Sequence, residues 1–218
     1  TKMKLFNYFV TLMFLFILSG IILFFYGLWY FGKDLPDYKE LSKYNPNVVT
    51  RIHAGNGALL AEFATQKRVF VPINVIPKKV INAFISAEDK HFYDHFGVDL
   101  KASLRALITN LKNIGTAKRL IGASTITQQV AKNFLLSSEV SYERKIKEAI
   151  LAIRIERAFS KNEILELYLN EIYLGFKSYG VAAAALNYFD KSLDNLDLAE
   201  SAFLAALPKA PNNYNPIH

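Results

Sequence analysis

Glu88 stands where an apolar side chain is expected. Pro77 suits the first turn of a helix, and Ile81, Phe84 and Ile85 recur at helical spacing, so that Glu88 continues a core-facing stripe. A carboxylate on an apolar wall loses hydration, which disfavours its charged form and raises its pKa toward the range where it takes or gives a proton. The competing reading is a helix end with a solvated Glu88-Asp89 pair. A second carboxylate repeats the pattern: on a helical wheel Glu148 falls beside Leu151 and Ile155 rather than among Glu143, Lys147 and Arg154. Arg144 precedes it by one turn, as in an ordinary i,i+4 ion pair. Arg144 and Lys145 also suit a diphosphate, since arginine offers a bidentate fork and lysine a mobile point charge.

Between these carboxylates runs Ser124-Thr125-Ile126-Thr127-Gln128-Gln129-Val130-Ala131-Lys132-Asn133. At 100° per residue Thr125, Gln129 and Lys132 share one face while Val130 and Phe134 point elsewhere, which lines up a hydroxyl, an amide and an ammonium. Such a face suits phosphate oxygens; an ordinary polar helix face is the plain alternative. His91 and His95 have the i,i+4 spacing of helical metal ligands, but Phe92 follows where the metalloprotease pattern requires a glutamate. No zinc site is expected, and His95 is expected to make structural hydrogen bonds near the end of the Glu88 helix.

These residues must be held by something, and the chain supplies it in order. From Leu5 to Gly32 there is no charged residue, ample for the ~20 residues of a bilayer-spanning helix. Lys2 and Lys4 precede that run and a mixed set (Lys33, Asp34, Asp37, Lys39, Glu40) follows it, so the positive-inside rule places the N-terminus in the cytoplasm and the remainder outside. The run exceeds a signal peptide's ~7–15 apolar residues, and Tyr26, Trp29 and Tyr30 read as an interfacial belt rather than a cleavage site. Residues 1–4 are then a cytoplasmic tail, 5–32 the anchor, 33–76 a linker with a β-hairpin region, and 77–218 a helical core.

The hairpin is expected from Val48–His53 and Ala58–Phe63 around the Gly55-Asn56-Gly57 turn, with a third short strand over Arg68–Ile73. Farther on, Ser160-Lys161-Asn162-Glu163 is a capping box opening a helix over Ile164–Leu174 with Gly175 as its stop, and another helix runs from about Leu196 to Leu207, closed by Pro208. Gly115–Gly122, with Lys118 and Arg119, is the expected loop. Cysteine is absent, which excludes disulfides and thiolate chemistry. The net charge is +7; removing Lys2 and Lys4 leaves +5, which favours lipid headgroups or phosphates. No nucleic-acid module appears, so nucleic acid is not an expected partner.

Taken in order, Glu88-Asp89-x-x-Phe92-x-x-His95-x-Gly97, Gly122-Ala123-Ser124-Thr125-Ile126-Thr127-Gln128-Gln129, Arg144-Lys145-x-x-Glu148 and Ile164-Leu165-x-x-Tyr168-Leu169-Asn170 resemble the peptidoglycan glycosyltransferase domain. This is the family 51 transferase of class A penicillin-binding proteins and monofunctional cell-wall polymerases, and the likeness spans about residues 40–215. It implies a mainly α, lysozyme-like fold with a small membrane-proximal lobe. The implied substrate is lipid II, the lipid-linked disaccharide pentapeptide, together with a growing glycan strand. Cell-wall synthesis and division proteins are implied as partners, and the bacterial cytoplasmic membrane as the location.

The resemblance makes Glu88 the base that deprotonates the acceptor 4-hydroxyl. It makes Glu148 the second essential carboxylate, steering the departing diphosphate directly or through a divalent cation such as Mg or Mn; no organic cofactor is implied. Thr125, Gln129, Lys132, Arg144 and Lys145 match positions that contact the phosphates or orient the site, with Ser124, Gln128 and Asn133 beside them among the substrate-binding set. Asp89, Phe92 and His95 match supports around the base. Bifunctional members carry a transpeptidase with Ser-x-x-Lys and Lys-Thr-Gly; neither motif occurs in these residues, and whether the chain is a fragment or a monofunctional enzyme stays open. Two rivals stand: a lysozyme-like glycan-cleaving enzyme with Glu88 as general acid, and a non-catalytic membrane-tethered scaffold.

Overall fold

The computed structural model describes residues 2–43, 50–53, 59–63, 67–116, 118, 121–136 and 141–211. Helix α1 (Lys2–Gly32) is the uncharged run, and its side chains are almost all exposed, as expected of a helix whose partner is lipid. It carries the one candidate membrane span among the described residues, Phe6–Gly32. At its end the Lys33 ammonium lies 5.8 Å over the Trp29 ring and 5.1 Å over the Tyr30 ring, the amphipathic arrangement of an interfacial belt. The helix is docked on the rest of the chain, because Arg154 donates to the Gly32 carbonyl at 3.1 Å. Beyond it a 3-10 turn (Tyr38–Lys43) places Leu41 in the core.

Strands β1 (Thr50–His53) and β2 (Leu59–Phe63) form the expected antiparallel hairpin, with Thr50 opposite Phe63 and an irregularity between Ile52 and His53. Its Gly55-Asn56-Gly57 turn, with Val48, Val49 and Ala58, lies outside the described residues, as do Arg119 and Asn215–His218. The third strand is shorter than expected: β3 covers only Lys67–Arg68, paired in parallel with β4 (Ser178–Tyr179). The reason is visible in the following bonds. Val71 N–H donates to Asn170 Oδ1 at 2.8 Å and Ile73 N–H to Glu166 Oε2 at 2.7 Å, so side chains replace a ladder, and Pro72 has no N–H to give.

The rest is helical. Helix α2 (Lys78–Glu88) packs on α8 (Leu198–Ala206), and α4 (Ile126–Leu135) is held between α5 (Tyr142–Ala158) and α6 (Lys161–Glu171). Phe84, Ile126, Leu151, Ile155, Ile164, Leu165 and Tyr168 seal the space where these helices meet. The Ser160 capping box forms as the sequence predicts, but α6 ends at Glu171 rather than Leu174. Gly175, at φ +83°, sits in the following Leu174–Ser178 turn and is not the helix stop. Helix α8 begins at Leu198 because Asp197 caps it with Glu200. Helix α7 (Val181–Phe189) intervenes between α6 and α8.

Helix α3 (Leu100–Lys112), capped by Asp99, buries only Ala106. Leu104, Leu107, Ile108, Leu111 and Ile114 are exposed among Lys101, Arg105 and Lys112, so this apolar surface is not core.

Candidate active site

Glu88 is the last residue of α2, where the helix delivers its side chain to the edge of the core rather than into it. Among the described residues its one hydrogen bond comes from Gln129 on α4, Nε2 to Oε2 at 2.7 Å. Burial pushes the Glu88 carboxyl above its ordinary 4.5, opposed by the Gln129 bond and by the charges of Lys132 and Lys209. Asp89, by contrast, is buried and spent: both of its oxygens lie 3.0 Å from His95 Nε2, and Oδ2 accepts the Ile126 N–H at 2.9 Å. His95 in turn accepts the Gly97 N–H on Nδ1 at 3.2 Å, which leaves Nε2–H to donate to Asp89. Asp89 thus ties the end of α2 to the start of α4. Gly97 itself, at φ +89°, admits no side chain, because a Cβ there would lie 2.6 Å from the Ala152 carbonyl oxygen of α5.

The start of α4 is the place where the helical wheel misleads. Thr125 is the N-cap of α4, not part of its exposed face; its hydroxyl donates to the Gly97 carbonyl at 2.6 Å and accepts the Gln128 N–H at 3.1 Å. Gln128 completes the capping box by accepting the Thr125 N–H at 3.0 Å. Phe92 is fully enclosed, under the Lys161 ammonium at 4.5 Å. Thr125 therefore caps α4 and does not share a face with Gln129 and Lys132, a correction to the expected line of Thr125, Gln129 and Lys132; the bonds of Thr125, Gln128 and Asp89 tie the end of α2 to the start of α4. Gln129 and Lys132 do share a face of α4, with Asn133 exposed beside them.

Glu148 on α5 is sealed, at 1 % exposure, on the apolar flank with Leu151 and Ile155. Its oxygens face cations: Arg144 Nε lies 3.1 Å from Oε1 and Lys145 Nζ 2.6 Å from Oε2. Lys145 also donates to Ser124 Oγ at 2.6 Å, which links α5 to the segment entering α4. Lys132 completes the group. Its pKa is pushed below 10.5 by burial, and by Arg144 and Lys145, while Glu148 and Glu88 pull the other way. Four cationic and acidic side chains thereby converge on one wall, with Glu88 across from them.

A divalent cation does not fit Glu148 in this arrangement, since both of its oxygens already face positive groups. Among the described residues no three His, Cys, Asp or Glu side chains gather as a metal site.

Two clefts flank the Glu88–Gln129 bond. One, of about 280 Å³, is lined by Glu88, His91, Arg105, Thr109 and Ser124; the other, of about 330 Å³, by Gln129, Lys132, Asn133, Tyr173 and Tyr179. The second carries an aromatic wall, Tyr173 and Tyr179 having centroids 4.9 Å apart, that period analysis did not single out. Wheel reasoning also missed Glu156, which accepts from Thr127 at 2.6 Å and Lys161 at 2.7 Å, while Lys161 donates to the His95 carbonyl at 2.7 Å. The hint was available in a charged residue next to Ile155 on an inward flank.

Comparison with known proteins identifies the family. Residues 56–218 match the transglycosylase family. The chain is 58 % identical over 191 residues to penicillin-binding protein 1A of Rickettsia felis, covering 88 % of this chain and 24 % of that protein. It is 50 % identical over 207 residues to the Aquifex aeolicus protein of the same name, covering 93 % of this chain and 28 % of the relative. A crystal structure of penicillin-binding protein 1A from Haemophilus influenzae aligns with TM-score 0.39 and 28 % identity over 80 % of this chain and 16 % of that one. The chain therefore spans about a quarter of the length of the curated relatives it matches. With the match covering all four motifs from Glu88 to Asn170, the chain belongs to the transglycosylase family, the glycosyltransferase family 51 domain that its sequence resembles.

Proposed function

We propose that the chain is a peptidoglycan glycosyltransferase that polymerises lipid II, with Glu88 as general base. One observation supports this most: a single half-buried carboxylate of raised pKa faces a wall of Lys132, Arg144 and Lys145 organised by Glu148. The chemistry asks for those two parts. Glu88 takes the proton of the acceptor 4-hydroxyl, and the oxygen attacks the anomeric carbon of the growing strand. The bond from that carbon to the diphosphate breaks, the configuration inverts to a β-1,4 linkage, and the polyprenyl diphosphate leaves with the electron pair. The leaving group is already activated, so the protein's remaining task is to hold cations where its charge develops.

The departing diphosphate falls to Lys132, Arg144 and Lys145, with Gln129 aligning the base and Ser124 and Asn133 at the rims of the clefts. Asp89, Phe92, His95, Thr125 and Gln128 hold the two helix ends in register. Helix α1 fits a single-pass membrane anchor; with Lys2 and Lys4 inside, the cleft lies on the outer face of the cytoplasmic membrane, where the exposed face of α3 rests among headgroups. Membrane lipids, the glycan strand and other cell-wall synthesis and division proteins are its partners in this reading. A glycan hydrolase has no use for the cationic wall, and a scaffold has no use for a carboxylate of raised pKa. Supplying purified lipid II to the detergent-solubilised chain tests all three: long glycan strands support polymerisation, cleavage of preformed strands supports the hydrolase, and neither supports the scaffold.

A further inference from the structure

Among the described residues Tyr168 is the largest fully buried side chain, and its hydroxyl has no hydrogen-bond partner there. It rises from α6 with its ring edge-on to Phe84, centroids 6.3 Å apart, one helical turn before Glu88 on α2. The acidic groups that act on it are Glu88 first and Asp89 second. Asp89 is saturated by His95 and the Ile126 N–H. Glu88 accepts from Gln129 on Oε2, and among the described residues no donor is bonded to its Oε1.

We propose that Tyr168 is a positioning residue for Glu88, its hydroxyl serving as the second donor to that carboxylate, on the oxygen that Gln129 leaves open. The inference rests on the reading of Glu88 as the base. Catalytic hydrogen bonds are often unmade in the free enzyme and close with substrate bound, and a buried, unpartnered hydroxyl whose ring packs one helical turn from Glu88 is a donor held ready. Gln129 and Tyr168 together grip both oxygens and leave a lone pair aimed at the cleft. Before proton transfer the hydroxyl donates to the anion; afterwards it turns and accepts from the neutral acid. The other groups facing Glu88 are charged: Lys132 from α4, Lys209 from the turn after α8, and Asp89 from its own element. Tyr168 is the neutral donor that reports on hydrogen bonding alone.

Tyr168→Phe removes the oxygen and keeps the ring on Phe84. No partner is lost in the resting structure, so the melting temperature is expected to hold or rise. With lipid II as substrate, kcat is expected to fall about tenfold, the equivalent of one hydrogen bond made with substrate bound. The acidic limb of the kcat profile, which reports the substrate complex, is expected to move up by about 0.5–1 pH unit, because a carboxylate that loses a donor becomes a weaker acid. Wild-type kcat and an unmoved acidic limb overturn the proposal, and so does a lowered melting temperature with an unmoved limb, which marks a purely structural tyrosine. Glu88→Gln measured alongside separates the two readings. If it keeps wild-type turnover, the base assignment falls and this one with it; if it is inactive while Tyr168→Phe is unaltered, the positioning role alone falls.

Discussion

Glu88 and Glu148 are the same residue type at the margin of the same core, and their surroundings make them opposites. Glu88 ends a helix, half-buried, with one neutral donor on one oxygen, and burial dominates its ionisation. Glu148 lies within a helix, sealed, with Arg144 and Lys145 against its oxygens and Lys132 near by. A carboxylate short of partners is poised to change charge, whereas one set against cations organises them. The contrast teaches that acid/base work and charge organisation in this molecule are set by which partners a helix supplies, not by residue type.

The comparison breaks most visibly at Glu88. Glu88→Gln preserves shape and the Gln129 bond while removing the proposed base, and turnover of lipid II is expected to fall on the order of 10²–10⁴-fold. Stability should move the other way. Because folding raises this pKa, the group's stabilising contribution is present below its unfolded pKa and is lost as pH rises through the folded value, so at pH 7 the buried anion is a cost that glutamine lacks. A melting temperature at or above wild type at pH 7 is the expected reading; retention of more than about a tenth of turnover would move the base elsewhere, with Glu148 first in line.

Glu148→Gln should do the reverse to stability. Removing one side of a buried pair takes the Glu148 charge away from Arg144 and Lys145 and is expected to cost about 3 kcal/mol, discounted because Lys145 is half exposed. Chemical denaturation of the two glutamine variants at pH 7 checks it: equal stabilities would erase the distinction between the carboxylates.

Much of this pairing was legible from residue spacing. The wheel placed Glu88 and Glu148 on apolar flanks correctly, since 3.6-residue periodicity holds wherever the helix is regular. It failed at Thr125, which precedes the helix as its cap, and at Gly175, where Phe176 and Lys177 follow with φ of +49° and +58° in a turn that no period describes. Strand β3 was overdrawn because the side chains that satisfy Val71 and Ile73 come from α6, about a hundred residues away. Tyr168 looked like core because it is core; only the unpartnered oxygen sets it apart.

Lys132 sharpens the comparison with a smaller effect. Its pKa is held down chiefly by burial, and among the described residues no side chain hydrogen-bonds its ammonium, so Lys132→Ala should leave the melting temperature unchanged or higher. Turnover should weaken by the equivalent of about 1.5–3 kcal/mol, the worth of one charge-assisted contact. A variant that unfolds readily yet keeps full activity per folded molecule would make Lys132 a structural cation.

The smallest expected effect concerns the membrane. A form lacking residues 1–33 should still float with anionic liposomes through the exposed α3 face, less so as salt rises because Lys101, Arg105 and Lys112 are screened. A protein left wholly in the soluble fraction at low salt would confine membrane contact to α1.

The most direct test of the contrast between the two carboxylates is the pH dependence of kcat/KM of the full chain on lipid II. Glu88 above its ordinary 4.5 and Lys132 below its ordinary 10.5 predict a bell: activity falls on the acid side as Glu88 protonates at a pH above 4.5, and on the alkaline side as Lys132 loses its charge below 10.5. An acid limb that stays flat down to pH 4.5 would contradict the account, because the base would then be a carboxylate that the fold has not perturbed.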